Sequence, residues 1–363
     1  MSYPRVHLNE EVMREGMQIE SVDISVEDKV ELLTLLSGCG LEAINVGSFV
    51  SPRYTPQMAN LEDVLRKFTP AEGTDYYCLV MNQKGIERAA EFPWLRPATQ
   101  PTTVAHLCDT FVRRNMNRSQ ADEIAGWSAT VDRAREAGAS AGTIGVGAAW
   151  GSNFEGAFTT AQRLDILRRQ HELWTQAGIR VTGMIFADPM GWCMPHWVEE
   201  TLEAVRAEWP DITRFTQHLH DSRGMALPSV YATIRSLDET CEVWFDVTAG
   251  GIGGCPYCGN GRATGMAATE DVAMMLQAMG IDSPVDLPRL IEFVVRLDQV
   301  LGRSTPGRTS KAGPLPLRPG DFYDPNLPLV ETYEEAQHFR LGPAVAEHQI
   351  RPWREPIPQP QTT

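Results

Sequence analysis

The chain has 363 residues, 42% of them hydrophobic and 22% charged, a globular composition long enough to bury a sizeable core without staples. With 32 Lys+Arg against 47 Asp+Glu the formal net charge is −15, which argues against nucleic-acid or anionic-membrane partners but leaves room for a local basic pocket. No apolar run approaches the roughly 20 residues of a spanning helix, and neither Met1 to Leu8 nor Gln361-Thr362-Thr363 carries a simple address signal, so a cytoplasmic protein is expected.

Taken in chain order, β-rich runs fall at Arg5–Leu8 (running towards Val12), Ala43–Gly47, Tyr76–Val80, Thr103–Cys108, Ala141–Val146, Arg180–Ala187, Ile212–His220 and Glu242–Val247. Between them, spacing near 3.6 predicts helices such as Val26–Ser37, Ser119–Ala137, Thr160–Ala177, Met194–Trp209 and Met225–Ser236. Ser25 is placed to cap the first helix, and Gly38, Gly138 and Gly178 to end the helices they follow. Alternating strands and helices from about residue 4 to about residue 300 imply an α/β fold with a parallel sheet, and the span fits a (β/α)8 TIM barrel. A doubly wound sheet would show a Gly-rich phosphate loop after its first strand, where Glu11-Val12-Met13-Arg14-Glu15-Gly16 stands instead.

From about Ser304 the texture changes to an irregular Pro-rich C-terminal extension, with a short helical pattern at Glu331–Phe339 and an extended end. The expected organisation is therefore a barrel domain over 1–303 and an extension over 304–363 that wraps the barrel or a neighbouring subunit of a homo-oligomer. The seven cysteines (Cys39, Cys78, Cys108, Cys193, Cys241, Cys255 and Cys258) are odd in number and scattered, which reads as reduced thiols.

In a barrel, chemistry sits where strands deliver residues to the C-terminal rim. His218-Leu219-His220-Asp221 ends the seventh strand, and side chains at i and i+2 share a face, so two imidazoles can bite one divalent metal there. A chance His-x-His is the competing reading. Arg14-Glu15-Gly16 with Gln18 follows the first strand, as either a metal-completing carboxylate beside a charge-stabilising Arg or a surface turn. The glycine-rich loop from Ala249 to Gly261 carries Cys255, which can give or take a proton, or else two incidental thiols. Asp188-Pro189-Met190-Gly191 places an acid at the rim or makes a simple turn. Arg53, Lys84, Arg113 and Arg114 put cations on rim loops, where they are either solvated or the local basic pocket.

These segments, in this order, resemble the 3-hydroxy-3-methylglutaryl-CoA lyase family, metal-dependent TIM-barrel lyases related to Claisen-condensing enzymes. The resemblance covers roughly residues 8 to 303. It rests on Glu11 to Gln18, Ser48-Phe49-Val50-Ser51-Pro52 with Pro56-Gln57-Met58, Phe111 to Asn117, Asp188 to Gly191, His218 to Asp221, Gly253 to Tyr257 and Ala268 to Asp271. It implies His218, His220 and Glu15 as metal ligands, the last where the family has Asp, with Asn260 the nearest amide for a further ligand. Arg14 would neutralise an enolate oxygen, Cys255 would protonate the enolate carbon, and Asp188 or His220 would serve as base. Arg53, Lys84, Arg113 and Arg114 become candidates for CoA phosphates. The departures are Asn45, where the family has Glu, and Met266, which aligns with the family's Asn ligand in a lengthened loop.

The implied reaction is retro-aldol, Claisen-type cleavage of a 3-hydroxyacyl-CoA to acetyl-CoA and a keto product, with Mg or Mn as cofactor. Three rivals stand beside it: a lyase on another hydroxy-acid thioester or a non-CoA substrate, a synthase joining acetyl-CoA to a 2-oxo acid, and a barrel that binds acyl-CoA without turnover.

Overall fold

The computed structural model describes residues 2–80, 82–97, 100–259, 265–327 and 353–359. Eight parallel strands form one sheet: β1 (Arg5–Glu10), β2 (Ala43–Ser48), β3 (Asp75–Leu79), β4 (Thr102–His106), β5 (Ala141–Gly147), β6 (Arg180–Asp188), β7 (Arg214–Leu219) and β8 (Glu242–Val247). Their order is β3-β2-β1-β8-β7-β6-β5-β4, so β1 lies against β8 and the sheet curls into a TIM barrel. β3 and β4 flank the seam, where Arg96 N donates to Tyr76 O at 2.7 Å.

The strands alternate in burial. Val6, Leu8, Phe215, Val243 and Phe245 face the helices and are buried, while His7, Asn9, Thr216, His218, Trp244 and Asp246 face inward and keep some access. The barrel interior is therefore polar, with His7 stacked on Trp244 at 4.4 Å between centroids. The helix Val26–Ser37 forms as expected. Ser25 Oγ accepts Asp28 N at 3.0 Å, and Leu32, Leu33 and Leu36 pack into the core.

Several expectations need correction. The predicted helix over 119–137 is two helices, Gln120–Ala125 and Trp127–Glu136, parted at Gly126. β4 stops at His106 because Cys108 caps the following helix Asp109–Met116. β7 starts at Arg214, two residues after the predicted start, and Glu331–Phe339 lies outside the described residues. All seven cysteines are free. Among the described residues no helix is long and apolar enough to cross a membrane.

Beyond the helix Leu287–Leu301, the extension returns to the barrel. Thr309 N donates to Asp271 Oδ1 at 2.6 Å and Gly307 N to Gly250 O at 2.9 Å. Two buried acids knit this region to the sheet. Glu10 accepts hydrogen bonds from Val12 N, Ala249 N and Thr269 Oγ1, and Glu270 accepts one from Gly250 N. Burial pushes Glu10 up to about 8 despite those donors, and burial together with Asp271 pushes Glu270 up to about 7. Both folded values exceed the unfolded value of 4.5, so the stability these groups give is fully present below pH 4.5 and is lost as pH rises through 7 to 8. Urea midpoints are expected to fall between pH 6 and pH 9 by on the order of a few kcal/mol of unfolding free energy, and Glu270→Gln is expected to flatten the decline. A midpoint that rises across this window contradicts the assignment.

Candidate active site

β1 ends at Glu10, and the chain then winds through a π-helical turn at Val12–Gly16 instead of extending to Val12 as a strand. Such single turns recur at functional sites. Here the turn carries Arg14 and Glu15 at the C-terminal mouth of the barrel, with Glu15 only 3% exposed. Arg14 is held between two carboxylates. Its Nε lies 2.7 Å from Glu11 Oε2 and its Nη1 contacts Glu15 Oε2. Burial works against the guanidinium charge, but Glu11 and Glu15 more than offset it and keep Arg14 protonated. Glu11 Oε1 in turn accepts from Asn9 Nδ2 at 2.9 Å and Asn45 Nδ2 at 3.1 Å. Burial raises the pKa of Glu11 although Arg14 opposes it. Asn45 therefore bears on the site through Glu11, which carries a carboxylate beside the position where the resembled family has Glu.

His218 and His220 leave β7 on one face. His218 Nδ1 pairs with Asp246 Oδ2 at 2.8 Å, and Asp246 Oδ1 accepts from Asn9 at 2.9 Å. Burial disfavours the charged imidazole of His218, but the Asp246 hydrogen bond and charge hold its pKa above the ordinary value. With Nδ1 committed to Asp246, Nε2 is the atom left to ligate, the orientation that outer carboxylates impose on metal-binding histidines. His220 Nε2 lies 3.6 Å from Glu15 Oε1, and one ligand atom from each of Glu15, His218 and His220 falls within 4.8 Å of the others. Two imidazoles and a carboxylate converging on one point, one imidazole braced from behind, fit a divalent cation. Met266 is buried and bridges to His220 through the backbone. Its thioether is a soft donor, unlike the amide of the family pattern.

The glycine loop passes over this cluster. At Gly253, with φ +117°, a Cβ would come 3.1 Å from Glu15 O, so only glycine lets the loop lie this close. Gln18 Nε2 donates to Gly254 O at 3.2 Å. The half-buried Cys255 follows, and the loop beyond it is tied rather than free. Arg114 Nε donates to Tyr257 O at 2.8 Å, Asn153 Nδ2 donates to Cys258 O at 3.0 Å, and Cys258 Sγ bonds Pro189 O at 3.1 Å. Burial and the adjacent Cys255 thiol push the Cys258 thiol up.

The other residues singled out in the sequence take the following places. Asp188 pairs in register with Leu219, whose side chain faces the helices, and not with His218. It is fully buried; its Oδ2 accepts Cys193 N at 2.7 Å, while its Oδ1 has no hydrogen-bond partner among the described residues. Arg113 is paired with Asp109 at 2.6 Å on an exposed face, and Arg114 holds the loop with its guanidinium over Phe154. Arg53 and Lys84 are exposed and carry no ion pair among the described residues. Asn260 lies outside the described residues.

Sequence reasoning missed Glu11 and Asn9, which anchor Arg14 and Asp246, and Asp246 itself. The available signal was Asp246 within the apolar strand Glu242–Val247. Parallel register then sets Asp246 beside both Asn9 and His218.

The fold and this rim site define an α/β barrel with a candidate metal centre, and its relatives make it a carbon–carbon lyase. The HMGL-like family model matches residues 5–295, and the chain belongs to that family. The 3-hydroxy-3-isohexenylglutaryl-CoA/hydroxymethylglutaryl-CoA lyase of Pseudomonas aeruginosa is 33% identical over 316 residues, covering 86% of this chain and 98% of that one. The (R)-citramalyl-CoA lyase of Chloroflexus aurantiacus is 31% identical, over 83% of this chain and 93% of that one. A solved HMG-CoA lyase from Acinetobacter baumannii, in complex with coenzyme A and 3-methylmalate, superposes with a TM-score of 0.69 at 29% identity, over 87% of this chain and 97% of that one.

Proposed function

We propose that the protein cleaves a 3-hydroxyacyl-CoA thioester between C2 and C3, releasing acetyl-CoA and a keto product, with Mg or Mn as cofactor. The observation that carries this reading is the convergence of Glu15, His218 and His220 within 4.8 Å at the barrel mouth, beneath the Cys255 loop. A divalent cation held by these three residues would polarise the substrate oxygens and lower the pKa of the C3 hydroxyl. The hydroxyl proton passes to a base at the barrel mouth other than His220, whose one acceptor nitrogen would be committed to the cation. The C2–C3 bond breaks, and its electron pair moves into the thioester as an enolate. Arg14, kept charged by Glu11 and Glu15, faces the negative charge that develops there. Cys255 delivers a proton to C2, and the proton taken from the C3 hydroxyl returns to the thiolate, so the cycle closes without a net change in the protein. Arg53, exposed on the loop that follows β2, and Lys84, exposed in the first turn of the helix Gln83–Ala89 that follows β3, are candidates for the CoA phosphates with Arg113 and Arg114.

The acyl group is tested with a panel of HMG-CoA, citramalyl-CoA and 3-hydroxy-3-isohexenylglutaryl-CoA. Cleavage of one member at least about ten-fold faster than the others, through kcat/KM, is expected, since a pocket separates alkyl substituents by roughly 10- to 200-fold. Free CoA released from acetyl-CoA plus a 2-oxo acid, with no cleavage of the panel, would show the synthase direction instead.

A further inference from the structure

One inward-facing layer of the barrel is continuous through parallel register: Asn9 pairs with Asp246, Asp246 with His218, His218 with Ala187, Ala187 with Gly147, and Gly147 with His106. Paired residues on parallel strands point to the same face. His106 therefore faces the same interior, at the same height, as the candidate ligand His218. Between them in this layer stand Gly147 and Ala187, the smallest side chains a strand can carry, on β5 and β6.

The His106 ring leans over Gly147. A Cβ on Gly147 would fall 2.1 Å from His106 Cδ2, so the imidazole takes the space that a side chain on β5 would fill. The ring is also oriented. Glu123, buried at 4% exposure, accepts from His106 N through Oε2 at 2.9 Å and pairs with His106 Nδ1 through Oε1 at 2.9 Å. Gln120 Nε2 donates to His106 O at 2.6 Å. Both Glu123 oxygens thus meet His106, and Arg118 Nη2 stands 3.7 Å from Oε1. When Nδ1 donates to Glu123, the neutral ring carries its acceptor lone pair on Nε2, over Gly147. Nε2 has no hydrogen bond among the described residues, and 12% of the side chain remains accessible.

A buried carboxylate orienting an imidazole is an arrangement for presenting the second nitrogen, and here that nitrogen faces the space beside the metal cluster. We propose that His106 is a specificity-determining residue that accepts a hydrogen bond from a hydroxyl on the C3 substituent of the substrate, with Glu123 as its positioning residue. The substrate class is then a 3-hydroxyglutaryl-type thioester whose C3 arm ends in a hydroxyl, not in a plain alkyl group. This rests on the lyase reading above.

The test uses two near-isosteric thioesters, 3-hydroxy-3-(2-hydroxyethyl)glutaryl-CoA and 3-hydroxy-3-propylglutaryl-CoA, with HMG-CoA as reference and Mn added. The wild type is expected to favour the hydroxylated member by roughly 10-fold or more in kcat/KM, chiefly through KM, because a site built to hydrogen-bond a hydroxyl rejects the analogue that lacks it. His106→Phe keeps a ring of similar size without Nε2 and is expected to invert the preference. Glu123→Gln, which loosens the ring's orientation, is expected to give an intermediate ratio. A wild-type ratio near one, or a ratio that His106→Phe leaves unmoved, overturns this inference while leaving the lyase reading standing. Failure of the wild type to cleave any of the three thioesters overturns both.

Discussion

Replacing His218 by alanine is expected to abolish divalent-metal binding and thioester cleavage together. His218 is the ligand whose orientation the fold determines most fully. Asp246 holds Nδ1 at 2.8 Å, Asn9 holds Asp246, and the strand register fixes all three. Loss of this imidazole leaves Glu15 and His220 as the only described members of the cluster. The several kcal/mol that a bound cation contributes to a transition state correspond to a factor of about a thousand or more in rate. Calorimetric titration with Mn and a coupled acetyl-CoA assay should therefore fail in the same variant. The Asp246 carboxylate would lose its partner too, so Asp246→Asn serves as a milder companion. It keeps the ligand but loosens its orientation, with metal affinity down by roughly 10- to 100-fold. Turnover by His218→Ala at the wild-type rate would show that the chemistry lies elsewhere.

The second large effect is expected at Cys255. Cys255→Ser should retain metal binding and lower turnover by roughly 100- to 10,000-fold, the usual size of a lost proton-transfer group. A serine hydroxyl is a far weaker acid in nearly the same volume. The backbone of the loop is positioned by other groups: Arg114 holds Tyr257 O, Asn153 holds Cys258 O, and Gly253 lies against Glu15, while the Cys255 thiol itself meets only the Cys258 thiol among these ties. Cys258→Ser supplies the contrast. Cys258 is fully buried, and its thiol is committed to Pro189 O. If Cys255→Ser runs at wild-type speed and Cys258→Ser does not, the proton donor has been placed on the wrong thiol.

Much of this architecture is legible in the residues. The alternation of β-rich and helical runs locates all eight strands because each carries an apolar outward face bounded by turn residues. His218-Leu219-His220 declares a shared face through the strand's period of two. The segment after β1 is less legible. Arg14-Glu15-Gly16 reads equally as a charged turn, and nothing local announces a π-helical turn that brings Arg14 between Glu11 and Glu15. Rim proximity alone does not tell which contacts Asp188, Arg113 and Arg114 make. A residue at a strand end can face the helices, as Asp188 does, or be spent on holding a loop, as Arg114 is. Asp246, Glu11 and the His106–Glu123 pair are invisible locally because their meaning lies in register between strands far apart in sequence, or in a helix that follows its strand.

The most direct measurement is acetyl-CoA release from HMG-CoA and citramalyl-CoA by the purified chain, stripped with chelator and then resupplied with Mg or Mn. The account predicts no release from the stripped protein and restored release of acetyl-CoA, with one keto product per thioester cleaved, on adding back metal. Cleavage that proceeds at full rate in the presence of chelator would contradict a reaction built on Glu15, His218 and His220.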